Sequence, residues 1–178
     1  MKAILLGGAV SLVLTLVLTA WVARFFVQKG LGQPIHDDMP MHRVKQGTPT
    51  MGGSAVIAAA VIGYLAAHLV AGGGPSASGM LVLFLLIGLG AVGFLDDYLK
   101  VTRERNLGLR GRTKLIGQTL VAVVFAVLAV QFPDADGITP ASTFVSFVRD
   151  LPALQLGAVG FVLWALFMVS ATSNGVNL

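Results

Sequence analysis

Two adjacent carboxylates, Asp96 and Asp97, with an ammonium following at Lys100, stand in the stretch GFLDDYLK (residues 93–100), where a long apolar run ends. On a helix, Lys100 lies one turn beyond Asp96, within reach of an ion pair. Carboxylates so placed can take a proton or hold a divalent cation. Left uncompensated at a helix C-terminus they are disfavoured by ~0.3–1 kcal/mol, and each opposes the other's ionisation where water is scarce. The same residues also read as a solvated helix end with an i, i+4 ion pair, and charge alone does not choose between the two.

Two further polar clusters border apolar runs. In KQGTPTMGG (residues 45–53), Thr48 and Pro49 suit the N-cap and first position of a helix. The unpaired N–H groups of that turn, with Lys45 and the Thr50 hydroxyl, make a place for an anion, and Gly52 and Gly53 allow close approach of a ligand or a neighbouring helix. Capping explains Thr48 and Pro49 but has no need of Lys45. In SNGVNL (residues 173–178), Asn174 and Asn177 can hydrogen-bond a neutral polar ligand or a phosphate. A helix cap accounts for Asn174 beside Gly175, though not for Asn177. His36, His42 and His68 lack metal-ligand spacing and read as interfacial or core histidines. With no cysteine in the chain, disulfides, thiolate metal sites and cysteine nucleophiles are excluded.

The elements that must position these groups are membrane helices. Of 178 residues, 56% are hydrophobic and 11% charged, a composition outside the range of soluble domains. Five apolar segments, at 3–27, 51–71, 79–98, 115–132 and 153–173, reach the ~20 residues that cross a bilayer core. None shows the strict alternation of a barrel strand, so the expected fold is all-α, a polytopic transmembrane helix bundle. The connections 28–50 and 96–114 are basic, 72–78 is uncharged, and 133–152 is mainly acidic. Of the twelve Lys and Arg residues, all but Lys2 and Arg149 fall on one side, which makes that side cytoplasmic and the N-terminus external. The three polar clusters then share the cytoplasmic face. A cleaved signal peptide is the competing reading of the first segment; its apolar run is longer than a signal core, and the positive charges follow it. The net charge of +4 comes from these short basic connections and does not indicate nucleic acid.

GTPTMGG, GFLDDYLK, KLIGQ (residues 114–118) and NGVNL, in this order and at these helix intervals, resemble the N-terminal half of the phospho-N-acetylmuramoyl-pentapeptide-transferase family, within the polyprenyl-phosphate sugar-1-phosphate transferases. The resemblance implies that residues 1–178 are the first half of a single transmembrane transferase domain, holding five of about ten spans of the usual length. It implies transfer of phospho-MurNAc-pentapeptide from its UDP carrier to undecaprenyl phosphate, with release of UMP, formation of lipid I and a need for Mg2+, at the bacterial inner membrane and in the service of peptidoglycan synthesis. Asp96 and Asp97 match the family's aspartate pair, with Asp96 as general base and Asp97 in support. Lys45, Thr50, Lys114 and Asn177 match polar positions that line the family's site, the lysines as contacts to phosphate or carboxylate, and Lys100 and Asn174 are expected to bind substrate with them. Partners implied are UDP-MurNAc-pentapeptide, undecaprenyl phosphate and the bilayer; a homodimer is compatible.

Departures from the family pattern bear on activity. In the family, NGVNL runs on into a TDGLDG-type stretch that contacts the nucleotide, and later loops carry the magnesium-binding aspartate and a histidine-rich segment. None of these falls within residues 1–178, so the chain alone is expected to be a fragment, inactive by itself, with its metal ligand elsewhere. Gly175 stands where alanine is usual. Two alternatives remain open: a sister transferase using UDP-GlcNAc, and a non-enzymatic transporter half or scaffold. A transporter would gather polar groups at the membrane midplane around broken helices; here they lie at helix ends.

Overall fold

The computed structural model of the chain describes residues 1–29, 51–103, 108–133, 137–146 and 148–175, and only the backbone of Asn174. Among the described residues there are five helices, α1 (Lys2–Gln28), α2 (Gly53–Ala71), α3 (Ala77–Thr102), α4 (Gly111–Ala129) and α5 (Gly157–Gly175). By length and composition α1 to α4 can cross a membrane, and α5 is an apolar helix whose stretch Gly157–Ser173 is shorter. The chain is a polytopic helical membrane protein. To the all-α expectation the structure adds one antiparallel hairpin, β1 (Phe144–Ser146) and β2 (Asp150–Gln155), in the connection before α5. Phe144 faces Gln155 and Ser146 faces Asp150, with a register irregularity between them. Pro152 is tolerated in β2 because a two-stranded sheet consists of edges.

Several boundaries differ from the sequence expectation. Helix α3 runs on to Thr102, so the basic connection expected at 96–114 shrinks to 103–110, and Lys114 lies inside α4. Lys100 pairs with both aspartates and the Thr102 hydroxyl donates to the Tyr98 carbonyl (2.8 Å), so the polar turn keeps its helical geometry. Helix α2 begins at Gly53 with Gly52 as N-cap. Met51 has φ +66°, which interrupts any helix arriving from Pro49, and Ser54 Oγ closes the turn by donating to the Met51 carbonyl (2.7 Å). Thr48 and Pro49, the expected cap and first position, lie outside the described residues. A Cβ at Gly52 or Gly53 would meet nothing within 4 Å, so the close helix approach expected there is absent among the described residues. Helix α5 starts at Gly157, φ +64°, because residues 153–155 belong to β2.

By internal contacts the chain forms two compact units. The first joins Met1–Pro75 to Gly90–Gly111. In it α1 and α2 pack along small residues: the buried side of α2 is Ala55, Ala59, Gly63 and Ala67, one every fourth position. Opposite stand Gly7 and Ser11 of α1. A Cβ at Gly63 would sit 2.7 Å from the Gly7 carbonyl oxygen and one at Gly7 3.2 Å from the Ala67 Cβ. Lipid tails are as apolar as leucine, so such helices associate by close backbone approach, which small residues permit. The rest of α1 is unburied, and Trp21 stacks on Phe25 (5.7 Å) with the Lys29 ammonium 6.0 Å from the Phe25 ring. Gly72, φ +72°, ends α2 in the left-handed conformation glycine adopts freely.

The second unit joins Ser76–Leu89 to Arg112–Leu178. Ser76 Oγ accepts from the Gly79 N–H (3.1 Å) and so caps α3. A Cβ at Gly88 would run into Val121 of α4 at 2.7 Å, another close helix approach. The buried side of α4 is Gln118, Ala122, Ala126 and Ala129, and the Gln118 amide donates to Ser173 Oγ of α5 at 2.5 Å.

Candidate functional site

Helix α3 delivers Asp96, Asp97 and Lys100 together one turn before its end, as the spacing predicts. Lys100 Nζ lies 2.8 Å from Asp96 Oδ2 and 3.1 Å from Asp97 Oδ1, a single cation bridging both carboxylates. The two acids are not equivalent. The Asp96 side chain is 11% exposed and that of Asp97 37%. An ion pair at a helix end is present, yet a solvated helix end would leave Asp96 in water. An exposed pair contributes ~0.2–1 kcal/mol; enclosing a carboxylate costs several times that unless partners attend it.

One further partner of Asp96 comes from the connection after α3. The backbone N–H of Leu109 donates to Asp96 Oδ1 at 2.8 Å, thirteen residues along the chain. Gly108 beside it lies against α3 so closely that a Cβ there would stand 2.6 Å from the Asp96 carbonyl oxygen and 2.8 Å from Cγ. Sequence reasoning missed this contact. Its one signal is the isolated glycine in NLGLRG, in a basic segment otherwise rich in long side chains.

Of the other predicted residues, Lys114 is half-buried in the first turn of α4, in the second unit, a turn that also carries Arg112. Cations there oppose the positive end of the helix, which an anionic ligand would offset. Asn174 lies in the last turn of α5, one residue after Ser173, the acceptor of the Gln118 amide. Gln118 falls one turn after Lys114 and was not singled out; an amide on an apolar helix was its signal. Lys45, Thr50, Asn177 and the Asn174 side chain, like His36 and His42, lie outside the described residues. His68 packs against the Tyr64 ring (4.5 Å), the place of a helix-surface histidine. Among the described residues no three His, Cys, Asp or Glu side chains converge as a metal cluster. Asp97, bound through Oδ1 alone among the described contacts, fits a single ligand to a cation.

Comparison with known proteins gives the wider setting. Residues 79–178, which hold the aspartate pair, Lys100, Lys114 and the α5 end, match the model of glycosyl transferase family 4. A phospho-N-acetylmuramoyl-pentapeptide-transferase of Kineococcus radiotolerans is 54% identical, over 100% of this chain and 52% of its own length. Proteins of the same name from Streptomyces avermitilis and Frankia alni are 52% and 50% identical, again over 100% of this chain and 50% of theirs. The chain spans about half the length of the curated relatives it matches.

Proposed function

The chain belongs to glycosyl transferase family 4, and we propose that it supplies half of a site that transfers phospho-MurNAc-pentapeptide from UDP to undecaprenyl phosphate, giving lipid I and UMP. The observation that carries this reading is the cluster of an enclosed Asp96 with Lys100 and Asp97, within a chain 54% identical to a transferase of that name. An oxygen of the acceptor phosphate attacks the sugar-linked phosphorus; the bond from that phosphorus to UMP breaks as the new diphosphate bond forms. A carboxylate of the pair takes the proton of the acceptor phosphate. Asp96 is the proposed base: Lys100 and the Leu109 N–H hold its two carboxylate oxygens in a fixed orientation. Asp97 supports it by sharing Lys100. Lys45, Lys100 and Lys114 hold phosphate or carboxylate oxygens, and Thr50, Asn174 and Asn177 make the neutral polar contacts.

A bound magnesium ion would offset charge on the diphosphate as it is transferred. Asp97 can give it one ligand, and further ligands would come from outside the described residues. The proposed location is the bacterial inner membrane, with the N-terminus external and the site facing the cytoplasm, where UDP-sugars are found; the excess of basic residues on that side supports this. A UDP-GlcNAc transferase has the same use for each of these groups and differs in the sugar it accepts.

A second reading makes Asp97 the base, because its side chain is the more exposed of the two. Asp96→Asn and Asp97→Asn, in a version of the chain carried on to the length of its relatives, decide the matter through magnesium-dependent UMP release. Loss of the base lowers turnover ~10²-fold or more. The proposal expects the larger loss at Asp96; near wild-type turnover in both variants would return the pair to the role of a structural ion pair.

A further inference from the structure

We infer that Gly108 and the backbone N–H of Leu109 are positioning elements for the aspartate pair, clamping Asp96 from the far side of its bond to Lys100. The inference rests on the transfer reading above for its activity arm only.

Two observations meet at the clamp. Asp96 Oδ1 accepts the Leu109 N–H at 2.8 Å while Oδ2 accepts Lys100 at 2.8 Å, so a directed donor holds each oxygen and the plane of the carboxylate is set. Rotation about the side-chain bonds would break at least one of the two. Gly108 is what lets the donor come so near. A side chain at 108 would meet the Asp96 backbone oxygen at 2.6 Å, and backbone in a helix cannot swing aside as a flexible side-chain tip can. To reach ordinary contact, the segment would have to rise from α3 by most of an ångström, carrying the Leu109 N–H out of hydrogen-bond range. Gly108→Ala therefore keeps the carboxylate of Asp96 but displaces it, since the same Cβ would also overlap Asp96 Oδ1. Misplacement of this size at a reacting group is enough to slow turnover substantially. Gly93, three residues before Asp96 on the same helix, is the natural control, since a Cβ there meets nothing within 4 Å.

The test has one arm that needs no activity and one that does. In the first, site-resolved hydrogen exchange in detergent should show the Leu109 amide protected in the wild-type chain, exchanging ~10-fold or more faster in Asp96→Ala. Asp96→Asn keeps an acceptor oxygen and should retain the protection. Equal exchange in wild type and Asp96→Ala would overturn the clamp. In the second arm, the version extended to the relatives' length should lose ~10-fold or more in kcat on Gly108→Ala, with KM for UDP-MurNAc-pentapeptide within ~3-fold of wild type, while Gly93→Ala is unaffected. If Gly108→Ala matched Gly93→Ala, or raised KM with kcat unchanged, the segment would not position the pair. Should the extended wild-type protein transfer no phospho-sugar at all, the functional proposal fails, and exchange at Leu109 still decides the clamp.

Discussion

Replacing Gly63 with alanine adds one methyl group to the closest contact between α1 and α2, and the structure sets the size of the effect. That methyl would stand 2.7 Å from the Gly7 carbonyl oxygen and 3.1 Å from Ser11 Cβ, and would overlap Ser11 Oγ. Ser11 can turn its hydroxyl away; the Gly7 carbonyl, being α1 backbone, cannot. The two helices must therefore separate locally, loosening the neighbouring contacts at Ala59 and Ala67. Overpacking of this kind costs ~1–3 kcal/mol, and alanine recovers ~1 kcal/mol through its better helix propensity. The expected net loss is ~0–2 kcal/mol, up to a factor of roughly 30 in the folded-to-unfolded ratio. Gly8→Ala is the matched control: a Cβ at Gly8 meets nothing within 4 Å, so only the propensity gain remains. Titration with SDS in mixed micelles, followed by circular dichroism, measures both. If the two variants unfolded within ~0.5 kcal/mol of each other, the small-residue contact would not hold these helices together.

Three other outcomes follow from the same observations. A reporter fused after Arg105 should behave as cytoplasmic and one after Gly74 as external; the reverse labelling would remove the proposed shared face of the polar clusters. Gln118→Leu deletes the amide bonded to Ser173 Oγ and should destabilise the second unit by ~0.5–1.7 kcal/mol, the range for hydrogen bonds between membrane helices, with no change in an SDS titration reading as the refuting result. Residues 1–178 purified alone should release no UMP from UDP-MurNAc-pentapeptide in the presence of magnesium and undecaprenyl phosphate, while the version extended to the relatives' length does. Robust release by the shorter chain would mean that its own clusters complete the site.

Hydropathy located every helix among the described residues, because uninterrupted apolar runs of this length have few other uses, but it was a poor guide to where helices stop. Asp96 to Thr102 looked like the exit from the bilayer; it remains helical because Lys100 serves two carboxylates at once, and a charge count cannot see that a polar turn is internally paired. Thr48 and Pro49 made the better written start for α2, and nothing in the sequence marks Met51 as the residue that takes a positive φ. The strands 144–146 and 150–155 show no alternating pattern and include a proline, so the sequence reads as connection up to residue 152 and as apolar helix from 153. At the candidate site, the residue types and spacing of Asp96, Asp97 and Lys100 were legible because they are local on one helix. The donor from Leu109 was not, since a backbone N–H leaves no mark on residue type. Gly108 became informative only when the α3 backbone was seen beside it.

The unequal lengths of the first two helices set how this chain sits in its bilayer. Gly7 lies against Ala67 and Ser11 against Gly63, so the antiparallel pairing carried along both helices puts Trp21 level with Gly53, where α2 begins. Helix α2, with 19 residues, is ~28 Å long and α1, with 27, is ~40 Å, against a hydrocarbon core of ~30 Å. The shorter partner fits the core; the longer one overshoots it by about two turns at the end that carries Trp21, Phe25 and Lys29. These side chains suit the headgroup region, so they fix the depth of the pair, and a bilayer thickened by a few ångströms would be met first by α2, whose start would be drawn inward with whatever polar residues precede it. Membrane thickness thereby becomes a variable that acts on the start of α2 without any ligand changing.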